Sequence, residues 1–111
     1  QVHGGIAQGV GQAMLEKVVY SDDGQLLSGS FMDYCMPRAD DLPSFDFSNI
    51  VIPCKNNPRG IKGCGEAGSV ASPAAIINAI VDALSEEGVD HIDMPATPQA
   101  VWQTLQNARM D

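Results

Sequence analysis

A glycine-rich stretch around a single carboxylate constrains this chain more than any other feature. Residues 62–68 read KGCGEAG, so Glu66 stands among three glycines and two other small residues. Glycine is used where the backbone needs a positive φ or passes close to a ligand. A loop of this kind shields its carboxylate from bulk water, which favours a role as a proton acceptor near neutral pH. The alternative is a solvated turn, because such turns are common in glycine-rich loops.

A second glycine-rich segment, QVHGGIAQGVGQAM, forms residues 1–14. Its apolar residues Ile6, Val10 and Met14 recur every four positions, which predicts a helix with one apolar face. The same segment contains four glycines, Gly4, Gly5, Gly9 and Gly11. Each costs roughly 1 kcal/mol relative to alanine in a helix interior, so we expect this helix to approach a ligand or another backbone closely. A glycine-mediated contact inside the core and a contact with a ligand both remain open.

Three segments, in order, resemble one known family. They are residues 1–12 (QVHGGIAQGVGQ), 32–43 (MDYCMPRADDLP) and 56–68 (NNPRGIKGCGEAG). The first is similar to the pterin-side segment, and the third to the catalytic loop, of the xanthine dehydrogenase and aldehyde oxidase family of molybdenum hydroxylases. Within this family, the sequences of the three segments are most similar to the carbon monoxide dehydrogenase-like large chains of bacteria. The resemblance implies that residues 1–111 are a single domain, the C-terminal segment of a molybdopterin-binding large subunit.

The resemblance also implies a chemistry. In this family, molybdenum bound to molybdopterin, here expected as the cytosine dinucleotide form, hydroxylates an aldehyde, heterocycle or similar small substrate with oxygen from water. Glu66 corresponds to the general base, Gln1 to a glutamine that contacts the pterin, and Lys62 to a cofactor-facing lysine. The other cofactor-binding residues implied are Gly4, Gly5, Gly63, Cys64 and Gly65. The opposing hypothesis is a non-catalytic domain that associates with partner subunits without holding cofactor.

The resemblance further implies partners that this chain does not contain. Upstream segments would share the cofactor, and iron–sulfur clusters and FAD would lie on partner subunits or domains of an oligomer. We therefore expect the isolated chain to be inactive. The net charge of −8 offers no basic stripe for nucleic acid. No apolar run approaches the ~18 residues of a membrane span, and a cytoplasmic location is expected.

The remaining titratable residues are less specific. Three widely spaced cysteines without a CxxC motif predict neither a zinc site nor a disulfide framework. Lys55, Arg59 and Lys62 form the only loose cluster of cations, and they either offset nearby acids or meet an anionic cofactor. Residues 63–68 also fit the GxGxxG pattern of dinucleotide-binding folds. A carboxylate inside that turn would repel a pyrophosphate, and no apolar strand runs directly into the first glycine.

The local patterns predict an α+β fold. Residues 18–20 and 26–28 are expected to form a hairpin around Asp22-Asp23-Gly24, residues 30–34 to extend that sheet, and residues 45–52 to add a strand. Ser72-Pro73 and Thr97-Pro98 each place a hydroxyl cap before a proline, which predicts the start of a helix. The first of these is expected to bury Ile77, Ile80, Val81 and Leu84 and to end at Gly88. The result would be a small mixed sheet packed with about three helices, as part of a molybdenum-cofactor-binding domain.

Overall fold

The computed structural model describes residues 1–110, whose regular structure is helical. Helix α1 spans Val2–Met14, α2 spans Ser72–Leu84 and α3 spans Pro98–Ala108. Short 3-10 turns occupy Ala39–Asp41 and Ser85–Glu87. Helices α1 and α2 pack against each other, and a long irregular stretch of chain connects them. None of the helices within this range is both long enough and apolar enough to cross a membrane.

The predicted mixed sheet is wrong. Over residues 1–110, strand-type pairing is limited to one isolated antiparallel bridge between Tyr20 and Leu26. The predicted turn does form, since Gly24 has a φ of 84° and the Leu27 amide donates to the Val19 carbonyl over 2.8 Å. The pairing does not continue because a lone hairpin is marginal without a further strand or a covering helix. Residues 45–52, predicted as another strand, find no pairing partner in the described chain.

The two hydroxyl–proline starts behave differently. Thr97 caps α3 as predicted, because its Oγ1 accepts a hydrogen bond from the Ala100 amide over 3.2 Å. The predicted cap at Ser72 is wrong, because Ser72 is already the first residue of α2 and Ala71 precedes it without a side-chain cap. The Ser72 hydroxyl oxygen is instead buried against α1, where it has no hydrogen-bond partner among residues 1–110. Packing between the helices has therefore displaced the capping role.

Helix α2 ends close to the predicted position. The 3-10 turn Ser85–Glu87 extends it, and Gly88 terminates that turn with a φ of 82° in the left-handed region. The predicted apolar stripe of this helix is only half-buried, at Ile77, Ile80, Val81 and Leu84. Helix α1 packs on part of α2. Ile80 and Leu84 of the stripe line an open apolar groove, whose lining also includes Val101, Trp102 and Leu105 of α3.

The core is small. Its buried apolar side chains are Ala13, Val89, Ile92 and Ala96. The Ala96 amide donates to the Ala13 carbonyl over 2.7 Å and so ties the segment before α3 to the end of α1. The radius of gyration is 18.0 Å, whereas a compact domain of this length would have about 13 Å. The chain is elongated, and many of its large apolar side chains remain exposed, including Met32 at 94% and Ile50 at 90%.

Candidate functional site

The two glycine-rich segments, residues 1–14 and 62–68, meet in space. The Gln1 side-chain Nε2 donates a hydrogen bond to the Gly65 carbonyl over 3.0 Å. Next to it, the buried Gly5 of α1 packs on the buried Gly68 of the loop, where a Cβ at position 5 would lie only 2.9 Å from the Gly68 Cα. A Cβ at Gly68 would in turn lie 2.7 Å from the Ile6 amide nitrogen. The start of α1 and the Glu66 loop therefore form one local structure.

The backbone at Glu66 is held by a compact turn. Its carbonyl accepts hydrogen bonds from the Ser69 and Val70 amides, both over 3.0 Å, and from the Ser69 hydroxyl over 3.3 Å. The Ala67 amide donates to the Cys64 carbonyl over 3.3 Å. The Glu66 side chain is exposed, so residues 1–110 do not provide the shielding from water that the loop sequence predicted. Any exclusion of water from this carboxylate has to come from other protein or from a bound group.

Open space lies beside two glycines of the loop. Gly63 and Gly65 do not have a positive φ, and a Cβ built at either would meet nothing within 4 Å. Gly4, on the first turn of α1, is likewise surrounded by open space. Turn geometry and packing inside the described chain therefore do not require glycine at these three positions. At these positions the backbone is open to close approach by a group outside residues 1–110.

Other glycines of α1 serve contacts within the chain. A Cβ at Gly9 would lie 2.8 Å from the Ser72 Cβ, and a Cβ at Gly11 would lie 3.0 Å from the Pro37 Cδ. Together with Gly5 they support the packing interpretation of this helix for three of its four glycines. The sequence left these two interpretations open because helical periodicity does not say which neighbour faces each glycine.

The 30–34 segment is anchored by a pair that the sequence did not reveal. The Tyr34 hydroxyl donates to a Glu16 carboxylate oxygen over 2.8 Å. That hydrogen bond, with smaller contributions from desolvation and from the charge of Glu16, raises the pKa of the Tyr34 hydroxyl. The pair holds the segment against the end of α1. The two residues are 18 positions apart, and Glu16 lies outside the three family segments, one of which contains Tyr34.

An apolar groove of about 600 Å³ follows the predicted apolar face of α1. It is lined by Val2, Ile6, Val10 and Met14 of α1, by Leu42, Pro43 and Phe45, and by residues between 67 and 76 at the end of the Glu66 loop and the start of α2. The His3 ring also packs on Phe45, with 5.3 Å between ring centroids. The helix periodicity therefore identified the part of the groove that α1 contributes, whereas the parts from the irregular stretch after the 3-10 turn Ala39–Asp41 and from α2 have no such signal in the sequence.

The thiols and carboxylates are dispersed. Cys35, Cys54 and Cys64 are all unpaired thiols. Over residues 1–110, no three His, Cys, Asp or Glu side chains come close enough together to hold a metal ion. The polar groups at this place are the Gln1 amide, the loop backbone, the Lys62 ammonium and the Glu66 carboxylate.

Comparison with known proteins agrees with this arrangement. Residues 1–43 match the family model of the molybdopterin cofactor-binding domain. The chain is 41% identical over 101 residues to the nicotine 6-hydroxylase large subunit of Paenarthrobacter nicotinovorans, covering 91% of this chain and 12% of the relative. It is 37% identical over 105 residues to the carbon monoxide dehydrogenase large chain of Hydrogenophaga pseudoflava, covering 95% of this chain and 13% of the relative.

A solved structure shows the same fold. Cu,Mo-CO dehydrogenase in its carbon monoxide reduced state superimposes with a TM-score of 0.89 at 31% identity, over 98% of this chain and 14% of that one. The chain belongs to the xanthine dehydrogenase and aldehyde oxidase family of molybdenum hydroxylases, in which it matches a piece of the large subunit. It spans about an eighth of the length of the curated relatives named above.

Proposed function

We propose that this chain is the C-terminal segment of the molybdopterin-binding domain of a hydroxylase large subunit, and that it supplies the general base Glu66. The substrate would be an aldehyde, a heterocycle or a similar small molecule, hydroxylated with oxygen from water. The observation that carries the proposal is the hydrogen bond from Gln1 to Gly65. It joins the segment expected to contact the pterin to the loop that bears the expected base.

The residues around this hydrogen bond suit a bound cofactor. The open space beside Gly4, Gly63 and Gly65 leaves room for a group to approach the backbone. The Gln1 side chain keeps its amide oxygen and a second N–H for recognising the edge of a heterocycle. Lys62 provides a positive charge, and Cys64 a small side chain between the two loop glycines. When bound, molybdenum–molybdopterin, in our proposal the cytosine dinucleotide form, supplies the redox chemistry.

Two features of Glu66 support its proposed role as the general base. Its backbone is fixed by three hydrogen bonds to its carbonyl, while its carboxylate remains accessible. A positioned carboxylate accepts a proton from a reacting group most effectively where water is excluded. Since residues 1–110 leave it exposed, the remainder of the large subunit would have to complete the enclosure.

The exposed apolar surface supports the proposal that this chain functions as part of a larger assembly. We propose that the chain functions with the rest of the large subunit and with iron–sulfur and flavin subunits, in the cytoplasm. Side chains such as Met32 and Ile50 would be covered in that assembly. Three unpaired thiols agree with a reducing compartment.

The test is Glu66→Gln in the complete large subunit. The amide keeps the size of the side chain and loses the carboxylate that accepts the proton. We expect turnover to fall by about 10²–10⁴-fold, the usual contribution of a positioned general base. Molybdenum content and melting temperature should stay at wild-type values.

Glu86→Gln is the matched control, because Glu86 is an exposed carboxylate in the 3-10 turn after α2. It should leave turnover unchanged. A Glu66→Gln enzyme that retains most of its turnover would refute the catalytic assignment and favour a structural loop.

A further inference from the structure

Gly68 is the one buried residue of the stretch 61–70, which contains the Glu66 loop. Its φ is not positive, so the turn itself does not require glycine there. The requirement comes from α1, because a Cβ at Gly68 would lie 2.7 Å from the Ile6 amide nitrogen and would overlap the Val2 carbonyl oxygen. Cβ atoms in proteins essentially never come within 3.0 Å of another heavy atom, so a larger residue has to push the loop and the helix apart.

This contact is closed by the chain itself. Gly5 and Gly68 are both buried within residues 1–110, so neither needs a further segment to cover it. On the α1 side the contact consists of backbone, and the Val2 carbonyl and the Ile6 amide are the two groups that pair across one helical turn. Displacing them would disrupt the start of α1. The helix is therefore the rigid side of the contact, and the loop is the side that moves.

A second attachment lies on the other side of Glu66. The Gln1 Nε2 donates to the Gly65 carbonyl over 3.0 Å, one residue before Glu66, whereas Gly68 follows two residues after it. Both attachments end at the start of α1, because the Gly5 amide donates to the Gln1 carbonyl over 2.9 Å. The backbone of Glu66 is thus held from both sides by the same part of the helix.

The turn between the attachments transmits a displacement to Glu66. The Glu66 carbonyl accepts hydrogen bonds from the Ser69 and Val70 amides, both over 3.0 Å, so these bonds enclose Gly68. A shift of Gly68 away from α1 therefore carries the Glu66 backbone with it or breaks these bonds. Either result changes the position of the Glu66 carboxylate relative to α1.

We propose that Gly68 is a positioning residue, whose contact with α1 fixes the Glu66 carboxylate relative to the helix end that carries Gln1. The inference rests on the proposed function, in which Gln1 contacts the cofactor and Glu66 accepts the proton. A general base works at a heavy-atom distance of about 2.6–3.2 Å from the group that gives up the proton. A misplacement of about 1 Å lowers a rate by up to about 10²-fold, so a rigid connection between these two residues matters for turnover.

The test is Gly68→Ala in the complete large subunit. After cofactor removal, hydrogen exchange followed by mass spectrometry should show the Ser69 and Val70 amides exchanging at least about tenfold faster than in wild type. In the loaded enzyme, kcat per bound molybdenum should fall by about 10–100-fold with KM unchanged, since the base is displaced and the substrate is not. In a Glu66→Gln background, Gly68→Ala should cause no further loss of kcat, because the carboxylate through which it acts is already gone.

Gly9→Ala is the matched control for overpacking of α1. Gly9 is a buried glycine of the same helix, and its Cβ would lie 2.8 Å from the Ser72 Cβ of α2, away from Glu66. This variant should have a lower melting temperature and an unchanged kcat per bound molybdenum. Gly5→Ala overpacks the proposed contact from the helix side, with its Cβ 2.9 Å from the Gly68 Cα. It should reproduce the loss of kcat and keeps the proposal testable if Gly68→Ala does not fold.

Failure of this inference and failure of the proposed function give different results. Wild-type kcat in Gly68→Ala and Gly5→Ala, beside a Glu66→Gln enzyme that has lost turnover, overturns the positioning role and leaves the proposed function standing. A full additional loss from Gly68→Ala in the Glu66→Gln background also overturns it, because Gly68 would then act through another group. A Glu66→Gln enzyme that keeps its turnover refutes the proposed function, and the positioning role is refuted with it.

Discussion

At single residues, the clearest feature is that glycine serves two different purposes in one helix. Gly5 is buried beneath Gly68, where an added Cβ would press on backbone that cannot move aside cheaply. Gly4, one position earlier, is exposed and has nothing within 4 Å of the same hypothetical atom. Gly4 and Gly5 are therefore a matched pair of positions at which to test substitution by alanine.

Gly5→Ala should destabilise the complete subunit, because the new methyl group overpacks the contact with Gly68. The expected cost in unfolding free energy is about 1–3 kcal/mol, and cofactor retention should fall with it. Gly4→Ala should instead stabilise the cofactor-free subunit by up to about 1 kcal/mol, since alanine favours the helix and nothing in the described chain lies within 4 Å of the new methyl group. Thermal unfolding of both variants checks this. A Gly5→Ala subunit as stable as Gly4→Ala would show that the contact does not matter.

At the scale of elements, α2 and α3 begin with similar sequences and use them differently. The Thr97 hydroxyl caps α3, whereas the Ser72 hydroxyl oxygen is buried without a partner in the described chain. Thr97→Ala should therefore cost about 1 kcal/mol of stability, the usual value of an N-cap. Ser72→Ala should be neutral or stabilising, because it removes a buried polar atom that makes no hydrogen bond.

Urea unfolding of the complete subunit measures both changes, provided that the transition is followed by a probe local to this segment. The comparison is informative because both are truncations of a hydroxyl to alanine at a helix start. An equal loss of stability in the two variants would mean that Ser72 finds a partner in the assembled protein.

At the scale of the whole molecule, the small core and the radius of gyration of 18.0 Å predict that the isolated chain has low stability. Four buried apolar side chains stabilise a chain of this length poorly, since folding has to offset the loss of conformational entropy of every ordered residue. We therefore expect the isolated 111-residue chain to retain substoichiometric molybdenum after dialysis, as measured by metal analysis. The complete subunit, treated in the same way, is the reference. A full complement of molybdenum on the isolated chain would contradict the proposal that the site is shared with other segments.

By itself, the sequence determined the features that depend on neighbouring residues or on ordered motifs. The family followed from three motifs in order, and the Thr97 cap, the Gly24 turn and the end of α2 at Gly88 followed from local chemistry. Helices satisfy their backbone hydrogen bonds within a few residues, so their periodicity survives in any context.

Only the tertiary structure decided the features that depend on distant partners. The alternating residues 45–52 formed no sheet, because strand pairing needs a neighbouring strand that the described chain does not supply. The contact of Gly5 with Gly68 and the loss of the Ser72 cap both arise where α1 meets another part of the chain. Such contacts have no local signature, because the energy that selects them lies in packing between residues far apart in sequence.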